Sequence, residues 1–249
     1  MTQIHIVTIS DGNINDLKST LNSIDSQNYK NYKNSIISKK KITNLDKRFK
    51  IKKRFFYYKK DSSIYEAMNY GLKKSKKNFL IFLNSGDTFF SKSSLKQITD
   101  YINNSETHSC FMFISILKNN NDYFIPKKKI FFSKNFLTHS SFVRCPAEND
   151  GDFNIENKIN ADGKWMTDNV KKFKIKKIYK PVSIFYLGGI SNFPSKKSIR
   201  IKKGISSISA LKELIKFFLL RLVGKKYFYK IIYYFKYDRV DFNKIKQIN

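Results

Sequence analysis

Phe79-Leu80-Ile81-Phe82-Leu83-Asn84-Ser85-Gly86-Asp87 is the stretch on which the reading of this chain turns. Its first five residues are apolar, a run too short for a helix and suited to a strand buried on both faces. The Asn-Ser-Gly-Asp that follows is turn chemistry. Asp87 is thereby held at the carboxyl end of a central strand, where ligands bind in open α/β sheets. A lone carboxylate there, on a very basic chain, points to a divalent cation and a phosphate-bearing ligand. A turn aspartate bonded to its own backbone is the plainer alternative.

Around this stretch the elements alternate. Ile4–Ile9 reads as a strand, and Leu17, Leu21 and Ile24 fall at helical spacing up to about Ser26. Ser35–Ile37 and Phe55–Tyr58 read as further strands. Ile64, Ala67, Met68, Gly71 and Leu72 form the apolar face of a helix, with Asp61 or Ser62 as its N-cap. This order predicts an α/β fold with a mostly parallel sheet flanked by helices. In the second half, Ser93–Ile102 reads as a helix, Cys110–Leu117 as a strand and Tyr123–Phe132 as extended segments around Pro126. Ile159–Val170 then reads as a helix and Lys176–Tyr186 as a strand leading to Gly188-Gly189.

Composition narrows the function classes. Hydrophobic residues make up 41% of 249 residues, enough for a sizeable core. Two cysteines, Cys110 and Cys145, provide neither a disulfide framework nor metal-ligand spacing, which suits a reducing compartment. The N-terminus enters a strand-like run directly, so no signal peptide is expected. No stretch reaches the roughly 18 apolar residues of a membrane-spanning helix. The net charge is +30, yet only six of the 49 basic residues are Arg. An A/T-rich coding sequence would favour Lys in this way. No helix-turn-helix, zinc-finger or RNA-binding sheet signature accompanies the charge, so nucleic acid is not the expected partner.

After Ser195 the composition shifts, placing a boundary near Pro194–Lys203 between a catalytic domain, 1–195, and a helical C-terminal segment, 196–249. In that segment Leu211, Leu214, Ile215, Phe218, Leu219 and Leu222 form an apolar stripe flanked by Lys212, Lys216, Arg221, Lys225 and Lys226. A second, aromatic cluster runs from Tyr227 to Tyr237. A basic amphipathic helix of this kind suits an anionic membrane surface. Packing on the catalytic domain, or on a twin subunit in a homodimer, would use the same face.

Taken together these residues resemble the inverting family-2 glycosyltransferases of the GT-A fold, above all bacterial members that assemble surface polysaccharides such as O-antigen. The likeness spans roughly residues 3 to 193. Val7-Thr8-Ile9-Ser10 with Leu17, Leu21, Ser23, Ile24 and Gln27 resembles the family's opening strand and helix. Asp61-Ser62-Ser63-Ile64-Tyr65-Glu66-Ala67-Met68-Asn69-Tyr70-Gly71 is similar to its Asp, spacer, Gly-Ile-Tyr-Asp-Ala-Met-Asn-Lys-Gly pattern. Asn84-Ser85-Gly86-Asp87 matches a variant of the Asp-x-Asp motif, and Thr138-His139-Ser140-Ser141-Phe142 resembles the later His-Gln-x-x-Phe element. Ala161-Asp162 stands where the family has its base, and Gly188-Gly189-Ile190-Ser191 resembles a Gly-Gly-x-Ser segment.

The resemblance implies a hexosyl- or N-acetylhexosaminyl-transferase using a nucleotide sugar, with UDP foremost. Mn²⁺ or Mg²⁺ would sit on Asp87, and Asp162 would be the general base. Asp152, Glu156 and Asp168 are its nearby rivals. Thr8, Ser10, Ser38, Asp61, Asn84, Ser85, Gly86 and Asp87 would line the donor site. His139 would approach the diphosphate or the acceptor, or be a satisfied core histidine. Trp165 would stack on a sugar or fill the core, and Gly188-Gly189 would be a lid hinge or a plain turn. A lipid-linked glycan acceptor at the cytoplasmic membrane face is implied, with the enzyme bound peripherally. One departure stands out: Ser38-Lys39-Lys40-Lys41 replaces the acidic turn that family members place at the nucleoside.

Overall fold

A computed structural model describes residues 2–60, 63–75, 78–105, 110–133, 138–144, 152–156, 161–187, 194–204 and 206–242. The first half is β1 (Ile4–Ser10), α1 (Ile14–Asp25), β2 (Tyr32–Ser38), β3 (Arg54–Tyr58), α2 (Ile64–Lys74), β4 (Phe79–Phe82), β5 (Thr88–Phe89) and α3 (Ser94–Asn103). The second is β6 (Cys110–Asn119), β7 (Asp122–Pro126), α4 (Lys128–Ser133), β8 (Phe142–Arg144), α5 (Ala161–Lys172), β9 (Ile175–Tyr186), α6 (Lys196–Lys203), α7 (Ser207–Tyr233) and β10 (Tyr237–Val240).

Strands β3, β2, β1 and β4 lie side by side and run parallel, as a doubly wound half-sheet. The sheet continues through β8 and β6 to β7 and β10 by antiparallel pairings, while β9 runs parallel to β6. Most of the paired length is parallel, in agreement with the expected architecture. Every residue of β1 is buried, because helices cover both faces. Ile4 and Ile6 pack with Leu17, Leu21 and Ile24 of α1 and Ile98 of α3. Val7 and Ile9 pack with Met68 and Leu72 of α2 and Trp165 of α5. Strand β4 and the residue after it divide likewise, Ile81 and Leu83 to one side, Leu80 and Phe82 to the other.

Gly71 sets how closely α2 approaches the sheet. A Cβ there would lie 2.4 Å from Val7 Cγ1. Gly71→Ala is therefore expected to destabilise the fold by about 1–3 kcal/mol, as overpacking does, read as a lower urea midpoint at unchanged slope.

His5 makes a second testable point. It is buried, its Nε2 lies 2.9 Å from Ser35 Oγ, and its Nδ1 is buried without a hydrogen-bond partner. Burial, reinforced by Lys33, lowers its pKa to about 4. Above pH 6.5 both folded and unfolded states are neutral at this position. As pH falls from about 6.5 to about 4 the unfolded chain binds a proton that the folded one refuses, and stability drops by about 3 kcal/mol. His5→Gln should flatten that acid limb in unfolding curves measured across this range.

Three local expectations are corrected. The N-cap of α2 is Ser63, not Asp61 or Ser62, both of which lie outside the described residues. Ser63 Oγ accepts from Glu66 N–H at 3.2 Å and Glu66 Oε2 accepts from Ser63 N–H at 2.6 Å, a reciprocal capping box that also makes Glu66 structural. Second, Tyr123–Phe132 is not extended throughout: β7 stops at Pro126, and Lys128–Ser133 turns into a helix that buries Phe131 beside Met112, Ile114 and Tyr179. Third, the C-terminal segment is not wholly helical. Residues 237–240 form β10, which pairs with β7 at the sheet edge. Among the described residues no helix is long and apolar enough to cross a membrane.

Candidate active site

The turn after β4 is built tightly. Ser85 N–H donates to Ile9 O at 2.9 Å, so the pairing with β1 continues past the strand. Asp87 N–H closes on Asn84 O at 2.9 Å. Gly86 has φ +100°, a conformation that a side chain strains, although nothing would crowd its Cβ. From α1, the Thr20 hydroxyl donates to Asp87 O at 2.7 Å and accepts from Gly86 N–H at 3.0 Å. The Asp87 carboxylate is thus fixed by backbone at the end of the parallel half-sheet.

Asp87 is 5% exposed. Its Oδ1 accepts from Tyr186 N–H at 3.1 Å, at the end of β9, and its Oδ2 lies 3.1 Å from His139 Nε2. The other nitrogen of the same ring, Nδ1, lies 3.8 Å from Asp162 Oδ2. Tyr65, on α2, donates its hydroxyl to Asp162 Oδ1 at 3.3 Å. Asn84 Nδ2 lies 3.1 Å from His139 Nε2. Asp87, His139 and Asp162 are therefore one constellation, with the imidazole between two carboxylates.

The loop carrying His139 is pinned from below by hydroxyls. Thr138 Oγ1 donates to Ser115 Oγ at 2.7 Å, and Ser115 Oγ lies 2.8 Å from Ser183 Oγ and 3.1 Å from Ser140 Oγ. Ser115 belongs to β6 and Ser183 to β9, so two strands hold the histidine in place.

The charges follow from this geometry. Burial alone would lower the His139 pKa, but Asp162 and Asp87 hold it up to about 9, so the ring is an imidazolium at neutral pH. Burial pushes Asp87 up, and His139 and the Tyr186 N–H only partly offset it. For Asp162 burial is outweighed by His139, the Gly163 N–H and Tyr65, and its pKa falls below the usual range. Asp162 also opens α5, where the helix dipole favours negative charge. It is 30% exposed on its side chain, ionised, and reachable by a ligand.

The remaining sequence-predicted residues are distributed differently. Asn84, Ser85 and Gly86 form the turn itself. Ser10 and Ser38 face each other at the ends of β1 and β2, where their hydroxyls accept from Gly12 N–H at 3.1 Å and Lys40 N–H at 3.3 Å. Thr8 is not at the site. It is fully buried, and its hydroxyl accepts from Asn34, which in turn accepts from Arg54. Trp165 is buried in an aromatic cluster, stacked on Phe153 at 4.6 Å and edge-on to Phe82 and Phe142, where it anchors α5. Asp61, Gly188 and Gly189 lie outside the described residues. Tyr65, Thr138 and Ser140 stand within the sequence motifs but without a role there, and Thr20, Ser115 and Ser183 were not singled out, because nothing local marks a hydroxyl whose partner lies many residues away.

The turn suits a hard divalent cation. Ser85 Oγ is buried with no hydrogen-bond partner, and burial raises the Asp87 pKa more than His139 and the Tyr186 N–H lower it. An oxygen-rich, charge-deficient set of this kind is what Mg²⁺ or Mn²⁺ takes. Among the described residues no three His, Cys, Asp or Glu side chains gather to hold a metal alone. A cation here would share phosphate oxygens of a ligand, as Mg²⁺ commonly does.

No family model and no curated protein matches the chain. Solved structures do. TarS 1-349 of S. aureus in complex with UDP superposes with a TM-score of 0.62 at 14% identity, over 91% of this chain and 73% of that one. The same protein in complex with UDP-GlcNAc gives 0.58 at 15% identity, over 88% and 72%. The mannosyltransferase PcManGT of Pyrobaculum calidifontis, in complex with GDP-Man and Mn²⁺, gives 0.58 at 8% identity, over 86% and 64%. At such identities the likeness is one of architecture. The chain has the GT-A glycosyltransferase fold, and its clustered carboxylates stand at the end of the parallel half-sheet of that fold.

Proposed function

We propose that this chain is an inverting, divalent-metal-dependent glycosyltransferase. Its donor is a nucleotide sugar, with UDP-sugars first to be tried, and its acceptor is a hydroxyl of a lipid-linked glycan in surface-polysaccharide assembly at the cytoplasmic face of the membrane. One observation carries the reading: Asp87 and Asp162 flank the two nitrogens of His139 at the carboxyl ends of the strands. The UDP, UDP-GlcNAc and GDP-Man bound by structural neighbours support the donor class.

The chemistry asks for a base, a cradle for the leaving diphosphate and an ordered pocket. Asp162, ionised and partly exposed, takes the proton of the acceptor hydroxyl as that oxygen attacks the anomeric carbon. The bond from that carbon to the phosphate oxygen breaks on the opposite face, and the nucleoside diphosphate departs with the electron pair. The configuration inverts in this single displacement. A bound Mg²⁺ or Mn²⁺, held by Asp87 with the oxygen of Ser85 near it, would supply Lewis-acid stabilisation of that diphosphate. The His139 imidazolium adds a fixed positive charge between the two carboxylates and orients both. Tyr65, its pKa raised by burial and by Asp162, remains a hydrogen-bond donor that positions the base.

The test uses water as a slow acceptor. The protein is incubated with α-linked UDP-, GDP- and dTDP-sugars and Mn²⁺, and proton NMR records the first anomer released. Release of the β-sugar supports inversion. An α-sugar contradicts it, and no release from any donor at high enzyme concentration favours a non-catalytic relative.

A further inference from the structure

Helix α7 is broken at Gly224, where φ is 69° and ψ is 168°. The inner face packs on both sides of the break: Leu219, Leu220 and Val223 before it lie partly buried against the same cluster as the residues after it. Past the break, Phe228 and Tyr229 are buried against Leu117, Phe124 and Leu187. Before the break, Ile208, Leu211, Ile215, Phe218 and Leu222 are 67%, 58%, 59%, 60% and 84% exposed. Their spacing keeps all five within about a third of the helix circumference. Leu214 extends the same face. Five large exposed side chains on one stripe are far more than the scattered apolar residues of an ordinary surface.

The charge beside the stripe says what covers it. Glu213 is the only acidic residue between Pro194 and Tyr237. It is 5% exposed and faces inward, accepting from Ser198 Oγ at 2.9 Å and Lys202 Nζ at 2.6 Å on α6. Lys212 and Arg221 flank the stripe on either side, both exposed. Lys216 stands one turn on from Lys212. Burial first, and then Lys202, Lys236 and Lys212, lower its pKa against the pull of Glu213, which marks how densely cations crowd this end of the molecule. A second copy would set these cations against their own kind, because no exposed acid lies between Pro194 and Tyr237 to pair across a helical seam. A surface that is apolar within and anionic at its rim is the complement.

We propose that the first part of α7 lies in the interface of an anionic lipid bilayer, with Ile208, Leu211, Ile215, Phe218 and Leu222 among the acyl chains and Lys212 and Arg221 at the headgroups. An amphipathic helix with a cationic border binds in this way. The inference rests on the proposed lipid-linked acceptor for its purpose, not for its evidence. The helix is coupled to the site through β9: Tyr186 N–H holds Asp87, while its neighbours Phe185 and Leu187 pack with Phe228 and Tyr229. Docking α7 therefore brings the constellation to the lipid surface.

Vesicle flotation of the full chain tests this without any turnover. Vesicles are of phosphatidylcholine alone, or with one lipid in three replaced by phosphatidylglycerol. The protein should float with the anionic vesicles and do so less at high salt. Phe218→Ser/Leu222→Ser should weaken flotation by about tenfold or more while leaving the unfolding temperature unchanged, because both side chains face outward. Lys212→Gln/Arg221→Gln should weaken it on anionic vesicles alone. Equal flotation of the Phe218/Leu222 variant would overturn the proposal, as would no flotation of the wild type. A dimer in sedimentation velocity that the same variant dissolves would assign the stripe to a second copy instead. A protein that floats but never releases a nucleotide would sink the catalytic reading and leave this one standing.

Discussion

Asp162→Asn should lower kcat by about 10²–10⁴-fold while leaving donor KM nearly unchanged, and should lower the unfolding temperature somewhat because the His139 imidazolium loses one of its two carboxylates. The amide keeps the shape of the carboxylate and an oxygen to accept from Tyr65, so positioning survives. It has no basicity, so the acceptor proton has nowhere to go. A loss confined to kcat is the mark of an interaction made in the transition state. The rival carboxylates predict otherwise. Asp168 is paired with Lys164 at 3.1 Å on the exposed side of α5, and Asp152 and Glu156 are exposed. None of the three has a contact with His139 among the described residues. Asn at Asp168 should leave kcat within about twofold, as expected of a surface ion pair. Equal loss at Asp168 and none at Asp162 would move the base.

Asp87→Asn should separate function from stability. Burial raises the Asp87 pKa, so its ionised form is held at a disadvantage by the fold. The amide oxygen can still accept from Tyr186 N–H, and the buried charge is gone. The same substitution takes one of its two carboxylates from the His139 imidazolium, which offsets that relief, so the variant should unfold close to the wild-type temperature. Activity should fall by about 10³-fold or more, since Lewis-acid stabilisation of a leaving diphosphate is a matter of several kcal/mol. Mn²⁺ should cease to tighten nucleotide binding. Nucleotide titrations with and without Mn²⁺ read the second point, and thermal unfolding reads the first. A variant that kept full metal-dependent activity would reduce Asp87 to a turn residue.

Much of the frame was legible because it rests on local pattern. The apolar run before Asn84 can only be a buried strand, and Asn-Ser-Gly-Asp allows Gly86 its positive φ, so Asp87 is placed by neighbours in sequence. The spacing of Ile64 to Leu72 likewise fixes the inner face of α2. Residues 65, 87, 139 and 162 meet only when α2, the β4 turn, the loop before β8 and α5 converge, and periodicity does not reveal that. The resemblance to family-2 transferases suggested Asp87, His139 and Asp162 separately, and the fold is what makes them neighbours. Trp165 admits two readings from sequence, stacking on a sugar or filling the core, and one turn along the helix from Asp162 it packs in the core. In α7 a continuous apolar composition concealed that Leu219, Leu220 and Val223 pack inward while Leu211, Ile215, Phe218 and Leu222 stay exposed.

Thermal unfolding of the wild type with a panel of nucleoside diphosphates, each with and without Mn²⁺, bears most directly on the central claim. A nucleotide at 100 times its dissociation constant adds about 2.7 kcal/mol to the stability of the state that binds it. The account predicts that one nucleoside diphosphate, UDP before the others, raises the unfolding temperature with Mn²⁺ and much less without it. No shift with any nucleotide at any Mn²⁺ concentration would contradict it.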